Sequence, residues 1–383
     1  MEADFLIIGA GIAGASAAYE LSNQGKVLRL EREDQPGYHS TGRAAAIFTE
    51  AYGNATIRAL SRASRSFFTA PPHGFAAAPL LTPRGVVTFA PRGREAAFEV
   101  ALKELSGRSD TIHEIDLDRA FAIFPPLDRT LAQRAHYEPH AADMDVHAIH
   151  QGFLKGFRAR GGKLRTGLRV DGIEPRWRVR AGGENFAAPV LINAAGAWAD
   201  EVAALAGVPA IGLIAKRRTV ILFDPPANAP VAEWPFAIDI DETCYVKPDA
   251  GRLLASPADE TPLPPGDAQP EDYDVALTID RLERFTTLRV NRVTHKWAGL
   301  RTFAADKTLV AGEAPGAAGF FWLAGQGGYG IQTSPATGRI IASLVADRGI
   351  PTDIADQGVS AGALDPARFK AAGYDTALQP NRP

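Results

Sequence analysis

The chain has 383 residues and a single cysteine, Cys244. That excludes an intrachain disulfide framework and suits a reducing compartment. Long apolar runs are also missing, and nothing approaches the roughly 18 residues needed to cross a bilayer. Neither sign of charge is in excess. With 41 Lys and Arg against 44 Asp and Glu, the net charge of −3 gives no basic field for nucleic acid or an anionic membrane. A secretory leader is not expected, because Glu2 and Asp4 make the start acidic and the apolar run behind them reads as a strand. Internal repeats and low-complexity tracts are absent. The remaining composition, 46% hydrophobic and 22% charged, is that of a globular protein long enough for two domains. A cytoplasmic location is expected, with peripheral contact to a quinone pool at the inner membrane left open.

The most informative stretch is the first. Phe5 to Ile8 has the length and apolarity of a buried strand. Gly9, Gly11 and Gly14 follow at GxGxxG spacing. A helical stretch beginning near Ile12 and Ala13 leads to a second apolar strand, which ends at Glu31, 22 residues after Gly9. Each part has a mechanical role in holding a dinucleotide. Gly9 permits a tight turn, Gly11 lets a pyrophosphate approach the backbone, and Gly14 lets helix and strand pack closely. Glu31 can hydrogen-bond a ribose hydroxyl, and the helix N-terminus offers free N–H groups and partial positive charge.

Farther along, Ala44 to Ala46 opens a second helical stretch, and residues 54–68 form a helix with Ile57, Leu60 and Phe67 on one face. Val86 to Phe89 reads as a strand and 94–106 as a helix. Residues 146–160 form a helix stopped by Gly161 and Gly162, with short strands around 163–170 and 175–180. Pro189 to Gly196 repeats the pattern of buried strand and glycine turn. The segment 218–296 is strand-rich. A last buried strand ends at Gly325, and a helix over 335–348 follows, with Ser334 as its cap, Pro335 at its first position and Gly349 past its end. Nucleotide-domain patterns thus stand at the start, middle and end of the chain.

Glu31 does not separate FAD from NAD, but three other stretches do. Asn193-Ala-Ala-Gly-Ala-Trp-Ala-Asp200 resembles the second flavoprotein signature. The loop His39-Ser-Thr-Gly-Arg43 offers hydroxyls, a glycine and a guanidinium to pyrophosphate and flavin edges. Gly325-Gln-Gly-Gly-Tyr-Gly330 precedes a helix N-terminus that can stabilise negative charge on a reduced flavin. Apart from the first turn and that stretch, no GxGxxG follows a strand elsewhere in the chain, which argues against a reductase that also binds NAD(P)H.

On these residues the chain resembles the FAD-dependent D-amino-acid oxidase/dehydrogenase superfamily, which includes glycine oxidase and sarcosine oxidase. Within it the similarity is greatest to D-arginine dehydrogenases. The carrying segments are Gln35–Arg43, Lys216–Arg218, Tyr245–Gly251, Trp297–Arg301 and Gly325–Ser334. The resemblance implies an α/β fold, with a discontinuous Rossmann-like FAD-binding domain (1–82, 146–214, 297–383) and an inserted α+β substrate-binding domain of mixed sheet (83–145, 215–296). FAD would be held non-covalently. The family's cofactor positions fall at Gly9, Gly11, Ile12, Ala13, Gly14, Glu31, Arg32, Ser40, Thr41, Gly42, Arg43, Ala44, Ala45, Ala46, Val170, Ala195, Gly196 and Trp198. Near the C-terminus they fall at Arg301, Gly327, Gly328, Tyr329, Gly330, Ile331, Gln332 and Thr333.

The implied activity is oxidative deamination. Hydride leaves Cα for flavin N5, and the imine hydrolyses to a 2-oxo acid and ammonia. Arg218 and Arg301 suit the substrate carboxylate, because a guanidinium binds it through paired hydrogen bonds that also fix its orientation. The resemblance adds Tyr52 and Tyr245 as hydroxyl donors, and the Gly328 backbone near the amine. It also assigns Ile47, Thr49, Phe236 and Ile238 to the pocket wall.

Two departures bear on specificity. The segment Arg84-Gly-Val-Val-Thr88 lacks the acid that D-arginine dehydrogenases place there, and a family histidine falls at Ile47. Burying an unpaired guanidinium in such a site costs several kcal/mol, so neutral, apolar D-amino acids are expected, with Glu50 keeping a cationic option open. The alternatives are glycine or N-methyl amino acids, 2-hydroxy acids, and a flavin-binding protein without turnover. The electron acceptor (oxygen, a quinone or another) is set by no motif. His136 with His140, and His147 with His150, have ligand-like spacing, yet flavin chemistry needs no metal, and none is expected. Cys244 reads as a core residue, and His295 as equally suited to the flavin's neighbourhood, the core or the surface.

Overall fold

The computed structural model describes residues 1–106 and 112–371. Phe5–Ile8 is buried along its whole length, as a strand covered on both faces must be. It lies inside a six-stranded sheet of order Val310–Glu313, Phe320–Ala324, Val190–Asn193, Phe5–Ile8, Val27–Leu30 and Lys163–Arg165. All neighbours are parallel except the first pair. Alternation along the central strand splits the core. Phe5 and Ile7 face helices Ile12–Leu21 and Ser334–Val345, while Leu6 and Ile8 face the small antiparallel sheet that includes Val179 and Phe186. The two helices pack closely, and a Cβ on Gly338 would lie 2.7 Å from the Ser16 carbonyl oxygen.

The second large sheet has eight strands in the order Val293–Phe303, Ile214–Phe223, Arg252–Ser256, Tyr245–Asp249, Phe236–Asp239, Val86–Pro91, Ala132–Glu138 and His113–Ile115. Its pairings are antiparallel except that of Phe236–Asp239 with Val86–Pro91, so the sheet is mixed. One face, with Val87, Phe89, Ala237, Val246 and Leu253, packs on Phe121 and Leu282 of helices Leu117–Ile123 and Asp272–Phe285. The opposite face turns toward the nucleotide-type sheet, and a cavity lies on it.

The structure departs from the sequence reading in several places. Ala44 to Ala46 is not helical. It leads into the short strand Ile47–Phe48, paired with Ala142–Met144, so strand pairing overrides the alanines' helix preference. The last long helix starts at Ser334, with Thr333 rather than Ser334 at the cap, and ends at Val345. The expected boundaries at 214/215 and 296/297 both fall within strands, because Ile214–Phe223 and Val293–Phe303 form one long antiparallel pair crossing from one region to the other. Among the described residues no helix is long and apolar enough to cross a membrane.

Candidate active site

The turn after the first strand requires its glycines. Gly9 has φ +107°, and a Cβ there would lie 2.3 Å from the Ala194 carbonyl oxygen. A Cβ on Gly14 would lie 2.2 Å from the Gly9 carbonyl oxygen, so helix Ile12–Leu21 sits directly on the turn. Gly11, at the helix N-cap, has no side chain to cap it, and Thr41 Oγ1 accepts from the Ile12 N–H at 3.0 Å. The Glu31 carboxylate is fixed by the N–H groups of Ala10 (2.6 Å) and Glu33 (3.0 Å). Beneath it Arg29, which the sequence reading passed over, is fully buried and donates to the Gly9 carbonyl at 3.3 Å. Burial pushes its guanidinium down to about 9.

From this turn one cavity of about 640 Å³ runs to the face of the eight-stranded sheet. Near Glu31 it is bordered by Arg32, whose guanidinium stands 4.6 Å from the Trp198 ring centre, and by Val170, Ala195 and Gly196. Its middle is bordered by Gly9, Gly11, Ile12, Ala13, Ser40, Thr41, Arg43 and Ala44 to Ala46. Toward the second sheet stand Gly327, Gly328, Gly330, Ile331 and Gln332. Of the cofactor positions the resemblance implied, Gly14, Gly42, Tyr329 and Thr333 do not line it. The Tyr329 hydroxyl instead donates to the Lys307 carbonyl, and Thr333 donates to the Tyr329 carbonyl at 2.9 Å. Arg43 is a different kind of departure. Its guanidinium is committed to the carbonyls of Ala268 and Ala298, both at 3.0 Å, and to Asp267. Ser40 likewise donates to the Leu300 carbonyl at 2.6 Å. This loop anchors one chain segment to another as well as bordering the cavity.

The far end gathers the expected carboxylate-binding groups. Arg301 is paired in register with Lys216, and Gly299 with Arg218. The two arginines are therefore diagonal neighbours on one face of the sheet. Arg301 Nη1 donates to Tyr52 Oη at 3.2 Å, and Arg218 Nε donates to the Asp259 carbonyl at 3.0 Å. Burial, reinforced by the Arg301 charge, lowers the Arg218 guanidinium from its ordinary value, and burial raises the Tyr52 phenol. Tyr245 stacks on Phe236 with ring centres 5.1 Å apart, and its buried hydroxyl has no hydrogen-bond partner among the described residues. A Cβ on Gly328 would lie 2.5 Å from Tyr52 Oη and 2.9 Å from Arg301 Nη1, so a side chain here would have to displace both of these groups. Ile47, Thr49, Phe236 and Ile238 line the same end.

Other residues reach the cavity without having been predicted. Glu242 sits in the turn before Tyr245 with φ +54° and borders it. Burial raises its carboxyl, against the opposing charges of Arg218 and Arg301. An acid does therefore stand near the two arginines, although not in the segment after Arg84. Thr88 and His136 also line the cavity. Glu50 does not. It pairs with Arg65 at 2.6 Å, which settles its place outside the pocket. His295 is exposed and Cys244 buried, and neither borders the cavity.

The residues present fit a dinucleotide that ends against a substrate. A glycine turn and a helix N-terminus share one continuous cavity with two arginines and an orphaned buried phenol. Comparison with known proteins agrees. A family model described as DAO, FAD dependent oxidoreductase, matches residues 4–344. FAD-dependent oxidoreductase domain-containing protein 1 of Xenopus laevis is 33% identical over 184 residues, covering 43% of this chain and 36% of the relative. The chain thus spans only about a third of that relative's length. Glycine oxidase of Bacillus licheniformis is 23% identical over 371 residues, covering 91% of this chain and 95% of the relative. The crystal structure of L-proline dehydrogenase from P. horikoshii superposes with a TM-score of 0.83 at 20% identity, over 97% of this chain and 98% of that one, a likeness of fold.

Proposed function

The chain belongs to the DAO family of FAD-dependent oxidoreductases, and on that premise we propose that it oxidises small α-amino acids, favouring the D hand and neutral side chains. The carrying observation is the placement of Arg218, Arg301, Tyr52 and Tyr245 at one end of the cavity whose other end holds the glycine turn and Glu31. FAD, when bound, supplies the two-electron acceptor for the hydride that leaves Cα. The protein's share is orientation. Arg218 and Arg301, side by side on one face of the sheet, offer charged donors to the carboxylate, the Tyr245 hydroxyl adds another, and Tyr52 is held in place by Arg301. With the carboxylate fixed, the amine lies toward the Gly328 backbone. Loss of hydride leaves an imine, which water converts to a 2-oxo acid and ammonia. The wall formed by Ile47, Val86, Val220, Phe236 and Ile238 favours uncharged side chains. Of the sequence-level resemblances, that to D-arginine dehydrogenases does not extend to a cation pocket after Arg84.

A second reading, oxidation of glycine or of an N-methyl amino acid, draws support from the end-to-end likeness to a glycine oxidase. Anaerobic mixing of the FAD-loaded protein with D- and L-amino acids, glycine, sarcosine and 2-hydroxy acids separates the readings by which of them bleaches the flavin. Bleaching by D-amino acids with neutral side chains is the expected result. Bleaching by glycine and sarcosine alone would transfer the assignment to the second reading, and no bleaching by any amine would refute both.

A further inference from the structure

The cavity does not stop at the clamp. Tyr245 pairs in register with Ile238, Ile238 with Thr88, and Thr88 with His136. Directly opposed residues share a face of the sheet, and all four line the cavity. Neighbouring strands lie about 4.8 Å apart, which puts Thr88 about 10 Å and His136 about 14 Å along this row from Tyr245. The flanking wall is apolar, with Val86 and Phe236 on the sheet and Ala101 and Leu105 on helix Glu95–Ser106.

His136 is the anomaly in this wall. It is 2% exposed, its ring packs on Phe98, and its buried Nδ1 has no hydrogen-bond partner among the described residues. Burial pushes the imidazole down to about 4, so it is neutral near pH 7 and holds one donor and one acceptor. Its strand neighbour Glu114 is held by Arg134 through two hydrogen bonds of 2.7 Å. Asp239, which also borders the cavity, has its carboxylate committed to the N–H groups of its own turn. Native structures rarely leave a buried polar atom unpaired, and a ligand is one reason they do.

We propose that this end of the cavity is a side-chain subsite, and that the preferred substrate is an α-amino acid whose side chain is apolar near Cα and ends in a neutral hydrogen-bonding group, such as a phenol hydroxyl, that meets Thr88 and His136. The proposal rests on the amino-acid reading above and narrows it. A cationic end group would meet an imidazole that resists charge, and an anionic one would meet no cation among the described residues beside Thr88 and His136. Glycine, sarcosine and alanine would leave the subsite unfilled.

The matched pair D-tyrosine and D-phenylalanine tests this, with the L isomers and glycine alongside. The wild-type holoenzyme should favour tyrosine over phenylalanine by about five-fold or more in kcat/KM, the contribution of one neutral hydrogen bond. Thr88→Val, which is nearly isosteric, and His136→Leu should each bring the ratio toward one. A wild-type ratio of one or below overturns the subsite whatever the variants do, and so does a ratio left unchanged in a Thr88→Val protein that retains FAD. Efficient oxidation of glycine with neither aromatic substrate turned over would overturn the subsite and leave amine oxidation standing. Failure of every amino acid to reduce the flavin would overturn the underlying reading as well.

Discussion

Glu138 offers a test that does not depend on the substrate. Its side chain is 1% exposed. It accepts the Glu50 N–H at 2.7 Å and the Thr49 hydroxyl at 2.5 Å, fixing the segment that carries Tyr52. Burial is the main cause raising its carboxyl from 4.5 to about 7. The nearby Glu50 charge acts in the same direction, while the two hydrogen bonds and Arg65 oppose the rise. The folded protein therefore keeps this proton up to about pH 7, whereas the unfolded chain releases it near 4.5. Between those values folding takes up a proton, so the contribution of Glu138 to stability falls as pH rises and is lowest above pH 7. At about 1.4 kcal/mol per tenfold change in proton affinity, the loss from pH 4.5 to 8 is roughly 3 kcal/mol. Glu138→Gln removes the titration and keeps the geometry, since the amide can accept from Glu50 and donate to Thr49. Urea unfolding of wild-type and variant holoprotein from pH 5 to 8.5 measures the difference. The stability of the variant relative to wild type should grow with pH, by an amount approaching that figure. A difference that stays constant across the range would refute the reasoning.

Three further expectations follow from the structure. Arg218→Leu or Arg301→Leu removes charge-assisted hydrogen bonds to the carboxylate, and should lower kcat/KM by about 30- to 1000-fold while the ratio of bound FAD to protein is kept. Full kcat/KM in either variant would show the clamp misplaced. Gly9→Ala forces a Cβ to within 2.3 Å of the Ala194 carbonyl oxygen at φ +107°, and should cost at least about 2 kcal/mol and release FAD, read by melting temperature and flavin absorbance. Cys244, buried and with its thiol pushed up to about 12, should resist thiol reagents in the native protein at pH 8 and react only on unfolding.

Local chemistry made much of the fold legible. Phe5–Ile8 is short and apolar throughout, which suits a strand covered on both faces, and it lies inside the six-stranded sheet. Gly9 and Gly14 are fixed by clashes within a dozen residues of the turn or with the strand beside it. Asn54 caps the helix Ala55–Thr69 through the Ile57 N–H at 3.1 Å, which the boundary at residue 54 anticipated. Ala44 to Ala46 shows the limit of such reasoning. Three alanines favour a helix, but the partner that turns the next residues into a strand, Ala142–Met144, lies about a hundred positions away.

The site divides along the same line. The sequence by itself determined the glycine turn behind Phe5–Ile8 and the strand that ends at Asn193, because the chemistry of each is local, whereas Arg218 and Arg301 stood out only through the family segments that carry them. Only the tertiary structure decided what surrounds them. Strand register put Arg218 and Arg301 on one face, and a turn at positive φ brought Glu242 to the cavity. Arg43 was drawn to Ala268 and Ala298, and Thr88 and His136 were aligned with Ile238 and Tyr245. Side chains alternate across a sheet with a period of two, so a shift of one residue in any pairing would turn such a group to the opposite face. That register depends on the partner strand, and a single segment of sequence does not contain it.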